Sequence, residues 1–184
     1  IMVSAGGRHT LGLRVDGTVV ATGLDKNGAV SGVAGWNDIV AIAAGYDISV
    51  GLKLDGTVVT AGDVDPSWGD VSQWEDIVAI GASVGTKRTI LGVHSDGTVV
   101  AVGDKADLCD VGDWTDVVAV GAGYDYSVGL RSDGTLVTAG SLPGTGWEKM
   151  TGISDISAGL FHLLGLRDDG TVLCAGYNSD GQCD

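Results

Sequence analysis

Three histidines, three cysteines and two acidic loops are the residues of this chain best equipped for chemistry. A hydrolytic triad needs a serine, a histidine and an aspartate converging on one point. His9 and His162 instead occupy matching places in a repeated phrase, which points to a recurrent structural hydrogen bond, and His94 stands beside a turn. No Gly-Lys-Ser/Thr step follows a strand, so nothing cradles a phosphate. Cys109, Cys174 and Cys183 lack the paired short spacings of a zinc site and read as small buried apolar residues, with a Cys174–Cys183 bridge left open. The loops "DVDPSWGD" and "NSDGQCD" offer oxygens without the spaced carboxylate set of a calcium loop. The expectation is therefore no catalytic residue, no metal and no cofactor: not an enzyme.

Binding is the chemistry that remains. Only 5% of the chain is aromatic, yet its one phenylalanine and three of its four tyrosines fall in one recurring loop. The five versions read Arg8-His9, Tyr46-Asp47-Ile48, Thr86-Lys87-Arg88, Tyr124-Asp125-Tyr126 and Leu160-Phe161-His162. Arg, Tyr and Phe beside Asp is the composition of interface hot spots. The expected partner-binding residues are Arg8, Tyr46, Asp47, Arg88, Tyr124, Asp125, Tyr126, Leu160 and Phe161. A second variable column follows Gly23, Gly62, Gly103, Gly140 and Gly176, and contributes Trp68 as an anchor outside the repeating tryptophan position. Five different residue sets suit one asymmetric protein partner better than a saccharide, which would use equivalent pockets. The competing structural reading is that these aromatics plug a channel or pack on the sheets.

The elements that position these loops come from a phrase written five times. "LRVDGTVVATG" returns as "LKLDGTVVTAG", "VHSDGTVVAVG", "LRSDGTLVTAG" and "LRDDGTVLCAG". Its turn aspartates, Asp16, Asp55, Asp96, Asp133 and Asp169, are separated by 39, 41, 37 and 36 residues. An Asp-Gly pair between alternating apolar runs predicts a hairpin with a two-residue type I′ turn. The strand before each turn carries two apolar residues around a glycine (Gly12, Gly51, Gly92, Gly129 and Gly165), and glycine inside a strand signals close approach of a neighbour. A third strand follows a tryptophan in "WNDIVAIAAG", "WEDIVAIGAS", "WTDVVAVGAG" and the looser "WEKMTGISDISAG". Trp36, Trp74 and Trp114 read as packing between units, and Trp147 as the same in a shifted register. Strands, glycine and a period near 38 residues together predict an all-β fold, a β-propeller with one blade per repeat.

Five turns but four tryptophan segments raise the question of closure. Joining the last residue to the first leaves a spacing of 31, and the seven residues of an absent tryptophan segment restore 38. The expectation is a single domain over 1–184, a five-bladed ring closed by combining strands from both termini. An excerpt of a longer array, with self-association if the ring is open, is the alternative.

The formal net charge of −14, from 10 Lys plus Arg against 24 Asp plus Glu, argues against nucleic acid and anionic membrane as partners. No apolar run reaches the roughly 18 residues of a membrane span. The beginning "IMVSAGGRHT" lacks the layout of a signal peptide, and the compartment stays open.

The stretches "GRHTLGLRVDGTVVATG" and "GLFHLLGLRDDGTVLCAGYNSDGQC" resemble the regulator of chromosome condensation repeat, in its short bacterial form. There a Gly-x-x-His-Ser/Thr element precedes the strand and a Gly-Gln element follows. His9 and His162 keep the histidine, Ile48 and Tyr126 replace it, and Gly-Gln survives at Gly181-Gln182. The resemblance implies a propeller, usually of seven blades, used as a binding scaffold. Its eukaryotic founder is a nucleotide-exchange factor for a small GTPase that docks on chromatin. Bacterial relatives include a secreted β-lactamase inhibitor and cell-surface modules. For this acidic chain the resemblance implies a non-catalytic scaffold for a protein partner, as a bacterial surface, secreted or inhibitor-type module. A carbohydrate-binding propeller and a structural repeat within a larger surface protein, filament or engineered scaffold are the alternatives.

Overall fold

A computed structural model describes all residues, Ile1–Asp184, and contains five three-stranded antiparallel sheets in chain order. Blade 1 holds β1 (Met2–Ala5), β2 (His9–Leu13) and β3 (Val19–Gly23); blade 2 holds β4 (Ile39–Ala44), β5 (Ile48–Lys53) and β6 (Val58–Gly62). Blade 3 holds β7 (Ile77–Ala82), β8 (Thr89–His94) and β9 (Val99–Gly103). Blade 4 holds β10 (Val117–Ala122), β11 (Tyr126–Arg131) and β12 (Leu136–Gly140), and blade 5 holds β13 (Ile153–Ala158), β14 (His162–Arg167) and β15 (Val172–Gly176). The five-bladed all-β propeller expected from the repeat is the one observed. No helix is long and apolar enough to cross a membrane.

The inner strands β1, β4, β7, β10 and β13 line a central channel of about 360 Å³. Small residues at their ends, such as Ala44, Ala82, Ala122 and Ala158, let five backbones converge there. Each inner strand of blades 2 to 5 also carries a one-residue irregularity near its start. That bulge turns Val40, Val78 and Val118 outward, which is why three valines inside strands remain about half exposed.

The hairpin turns differ from the expected type. Only the glycine has positive φ, 77° at Gly17 and 82–85° at its four counterparts; the aspartates do not. The Arg14 N–H donates to Thr18 O, and the Gly17 N–H to Arg14 O, so the loop has three residues: a type I turn followed by a left-handed glycine. Aspartate is there for its side chain. Asp16 Oδ1 accepts both the backbone N–H and the hydroxyl of Thr18, at 3.0 and 2.6 Å, and the other four turns repeat the pair.

The glycine in each middle strand makes room for the tryptophan. A Cβ on Gly51 would stand 2.8 Å from the Trp36 ring, and on Gly92 or Gly129 it would stand 2.9 Å from Trp74 or Trp114. Trp74 and Trp114 are thereby buried between blades. Blade 5 departs from the expected role of Trp147. Met150, buried, lies over Gly165, because "WEKM" places the methionine three residues later at the spot the other tryptophans fill. Trp147 stacks edge-on against Tyr126 and donates its indole N–H to Pro143 O.

Closure also differs from expectation. Every sheet is built from one continuous stretch of chain, and none combines strands from the two ends. Four junctions between blades are packed, while the sheet faces of blades 1 and 5 that look away from their neighbours are bare. Val3 is 70% exposed where its counterpart Ile42 is 2% exposed; Val172 is 60% exposed where Val58 is 4%. Gly12 has no ring above it, only Val20 of its own sheet. Within residues 1–184 nothing lies on Gly12 of blade 1, and blade 1 does not cover Leu164, Leu166 and Val172 of blade 5.

Candidate functional site: the loop rim

The two variable columns of the sequence are neighbours in space. In every blade the residue after the third strand donates its N–H to the carbonyl of the loop before the middle strand. The pairs are Leu24 to Arg8, Asp63 to Asp47, Asp104 to Arg88, Ser141 to Asp125 and Tyr177 to Phe161, at 2.6–2.9 Å. The columns thus form one rim at one end of the propeller. Backbone bonds from Gly7 to Gly45 O, Tyr46 to Ser83 O and Tyr124 to Leu160 O tie neighbouring loops together, and Ser83 Oγ donates to Gly123 O between blades 3 and 4.

Charge alternates along blades 1 to 3. Lys26 Nζ lies 3.0 Å from Asp47 Oδ2 and 3.6 Å from Asp63, whose carboxylate also takes Arg88 at 2.6 Å; Arg88 in turn lies 3.7 Å from Asp104. Arg8 stands 3.6 Å from Asp47 Oδ1 and 4.4 Å above the Tyr46 ring. Asp47 is fully buried beneath these cations, so it is a structural counter-ion, not an exposed contact. Lys87 bonds Asp125 and stands 4.9 Å from the Tyr124 ring; accepting that bond, the carboxylate holds the lysine above its usual pKa. Arg88 stands 5.8 Å over Trp68, which is half-buried against the core of blades 2 and 3. The free anchor expected at Trp68 is instead a packing residue with its own cation.

Tyr126 is a clearer correction. It is fully buried, and its hydroxyl meets Gly159 O at 3.0 Å and His162 O at 2.6 Å in the next blade, so it is a core tie and not a partner contact. Burial pushes its phenol well above the ordinary range. Sequence placed it beside Tyr124 in a loop, but β11 begins at Tyr126, and its place in that strand puts the ring in the core while Tyr124 stays in the loop before it. His9 is likewise structural. Ser49 Oγ donates to Ala29 O, so its bond to His9, 2.8 Å long, is donated by Nε2–H. Burial lowers the pKa of this imidazole. His162 makes no such bond to a serine of another blade, and the expected recurrence of the histidine bond is not seen there. His94 Nδ1 lies 3.0 Å from Glu75 O, a bond that Arg131 and Arg167 make to Thr115 O and Thr151 O in their blades. Cys174 and Cys183 form a disulfide, while Cys109 is free, its thiol pushed up to about 11 by burial and then by Asp107 and Asp104.

Between blades 4 and 5 the rim opens into a cleft of about 150 Å³ lined by Asp125, Ser141, Leu142, Pro143, Phe161 and Tyr177. Tyr124, Phe161 and Tyr177 form a row with ring centres 5.4 and 5.8 Å apart. Leu160 completes the exposed apolar edge. The structure therefore brings Tyr124, Asp125, Leu160 and Phe161 to one place and Arg8, Tyr46 and Asp47 to another, while Trp68 and Arg88 sit together between them. Tyr177 was absent from the sequence-based set. The signal was its position directly after Gly176, in the second variable column, and only the hydrogen bond to Phe161 joins that column to the first.

Fold and rim together define a β-propeller with loop-built surfaces at one end. Residues 3–29 and 153–182 match the family model described as the regulator of chromosome condensation (RCC1) repeat, in line with the resemblance read from the sequence. No curated protein sequence matches the chain. Among solved structures it is similar to Prp20p from Saccharomyces cerevisiae, at 20% identity and a TM-score of 0.74, covering 97% of this chain and 57% of that one. That structure is described with its binding to Gsp1p and histones. The ectodomain of the Arabidopsis thaliana receptor kinase ACR4 gives 22% identity and a TM-score of 0.76, over 99% of this chain and 66% of that one. Human WBSCR16 gives 17% and 0.74, over 97% and 62%. The chain thus spans less than two thirds of each of these structures.

Proposed function

We propose that residues 1–184 form one propeller domain, a non-catalytic scaffold that binds a protein partner through the rim, as a surface, secreted or inhibitor-type module. One observation carries this reading: the framework repeats while the rim does not. Turns and strand glycines recur in all five blades and tryptophan caps in blades 2 to 4, whereas equivalent rim loops present Arg8, Tyr46, Arg88, Tyr124 and Leu160-Phe161, an asymmetric set suited to an asymmetric surface. Prp20p, a protein of the same fold, is described as binding proteins, which supports the reading by analogy of fold alone. The test is affinity capture with the wild-type chain beside Tyr46→Ala and Phe161→Ala on the rim and Val15→Ser on the opposite, turn-bearing end. A partner lost by the rim variants and kept by Val15→Ser supports the proposal. A partner indifferent to the rim, or a glycan bound at several equivalent sites per chain, sinks it.

A second reading, a structural repeat within a larger array, draws on the bare sheets of blades 1 and 5. Their faces, Val3-Gly12-Val20 and Leu164-Leu166-Val172, are the two sides of the junction that the inner blades bury. Sedimentation tests it: concentration-dependent self-association abolished by Val172→Glu supports an array, and a monomer at all concentrations counts against it.

A further inference from the structure

We infer that the cleft between blades 4 and 5 is a receptor for a cationic side chain, arginine above lysine, presented by the protein partner; this rests on the proposed role of the rim. At three places on this rim the chain itself lays a cation on an aromatic ring beside a carboxylate. Arg8 lies over Tyr46 next to Asp47, Arg88 over Trp68 next to Asp63, and Lys87 over Tyr124 next to Asp125. The last junction has the ring and shares Asp125, whose Oδ1 Lys87 already holds, but supplies no cation of its own. Phe161 takes the loop position that holds Arg8 in blade 1, and the cleft it forms with Tyr177 contains no lysine or arginine.

Charge and shape agree with a cation as the guest. Phe161 and Tyr177 are 36% and 52% exposed, so their faces are available. Lys87 engages only Oδ1 of Asp125, and no side chain of the protein bonds Oδ2. A cavity of this size admits one side-chain head group rather than a larger ligand. Guanidinium is favoured because its plane stacks on aromatic faces while its edge bonds a carboxylate. The net charge of −14 adds a long-range field that draws basic partners.

The walls are held before any guest arrives. Ser141 N–H bonds Asp125 O, Tyr177 N–H bonds Phe161 O and Gly176 N–H bonds Thr145 O, at 2.6–2.9 Å. Tyr177 also lies inside the loop closed by Cys174 and Cys183. Little ordering is left for the guest to impose, which favours binding.

The test is a titration of the isotope-labelled chain with N-acetyl-arginine methylamide and with its neutral isostere, N-acetyl-citrulline methylamide, followed by amide chemical shifts. Arginine is expected to move the amides of Ser141, Phe161 and Tyr177 in a saturable way, and citrulline to leave them in place. Phe161→Leu and Tyr177→Leu, both at exposed positions, should each weaken arginine binding roughly two- to five-fold, while the unchanged spectrum elsewhere shows that they fold. Equal shifts with citrulline, shifts scattered over the acidic surface, or affinity unchanged in both variants would overturn the assignment. A partner released by Tyr46→Ala but not by Phe161→Leu or Tyr177→Leu would overturn it too, while leaving the rim as the binding face; only a partner blind to every rim variant removes the wider proposal.

Discussion

The same substitution, glycine to alanine at the centre of a blade's middle strand, should have opposite signs in blades 1 and 3. In blade 3 an alanine Cβ at position 92 would meet two Trp74 ring carbons at 2.9 Å and Ile77 at 3.2 Å, in a junction where Trp74 is 9% exposed and Ile77 3%. The ring is clamped between sheets and has nowhere to retreat. Overpacking of this kind costs about 1–3 kcal/mol. For a chain of this length that is a fall in Tm of roughly 3–10 °C. In blade 1 an alanine at position 12 would meet only Val20 Cγ2 at 3.2 Å, and Val20 is 41% exposed and free to shift. There the smaller entropy of the unfolded alanine chain dominates, and Gly12→Ala should be neutral or stabilising by up to about 1 kcal/mol. Thermal and urea unfolding followed by circular dichroism would report both values. Adding Trp74→Leu completes a double-mutant cycle with Gly92→Ala, in which the alanine penalty should shrink by about 1 kcal/mol or more. Equal destabilisation by Gly12→Ala and Gly92→Ala, or a cycle without coupling, would show that the strand glycines do not serve the tryptophans.

Other expectations follow from the same geometry. Val172→Glu, on the bare face of blade 5, should change stability by less than about 0.5 kcal/mol, whereas Val58→Glu at the equivalent buried position should leave little folded protein by circular dichroism. Replacing both Cys174 and Cys183 by serine should lower stability by roughly 2–3 kcal/mol, the loop-closure value for a separation of this length, and loosen Tyr177 in hydrogen exchange. The five turn aspartates are held below the ordinary 3.8 by the threonine hydroxyls and then the threonine N–H groups. Their contribution is complete above that ordinary value and lost as pH falls through the folded values beneath it, so Asp→Asn changes at the turns should flatten the acid limb of a stability–pH curve. His9, lowered by burial, behaves alike one step higher: stability is complete above 6.5 and declines as pH falls through the folded pKa below it, a decline that His9→Gln should remove.

Periodicity carries local information, and local information was enough for much of this molecule. The alternation around Gly51 or Gly129, the Asp-Gly turns and the tryptophan spacing each bias a few neighbouring residues, and together they specify five three-stranded blades and the loops that form the rim. The repeat likewise separated the constant framework from the variable loops, because positions that build every junction must recur. Other features depended on residues distant in sequence. Whether Tyr126 faces solvent or core was set by the register of β11 and by two carbonyls of blade 5. Asp47 lost its exposure to Lys26 and Arg8, neither of them nearby in the chain. Turn type escaped because Asp-Gly fits a two-residue and a three-residue loop alike, and the pairing of Arg14 with Thr18 decides between them. Met150 replaced Trp147 because the strand glycine needs something above it, not tryptophan in particular. The bare faces of blades 1 and 5, and the meeting of Phe161 with Tyr177 and Asp125, belong to tertiary structure alone: they depend on which blade stands beside which, and a repeat read along one dimension contains the blades but not their neighbours.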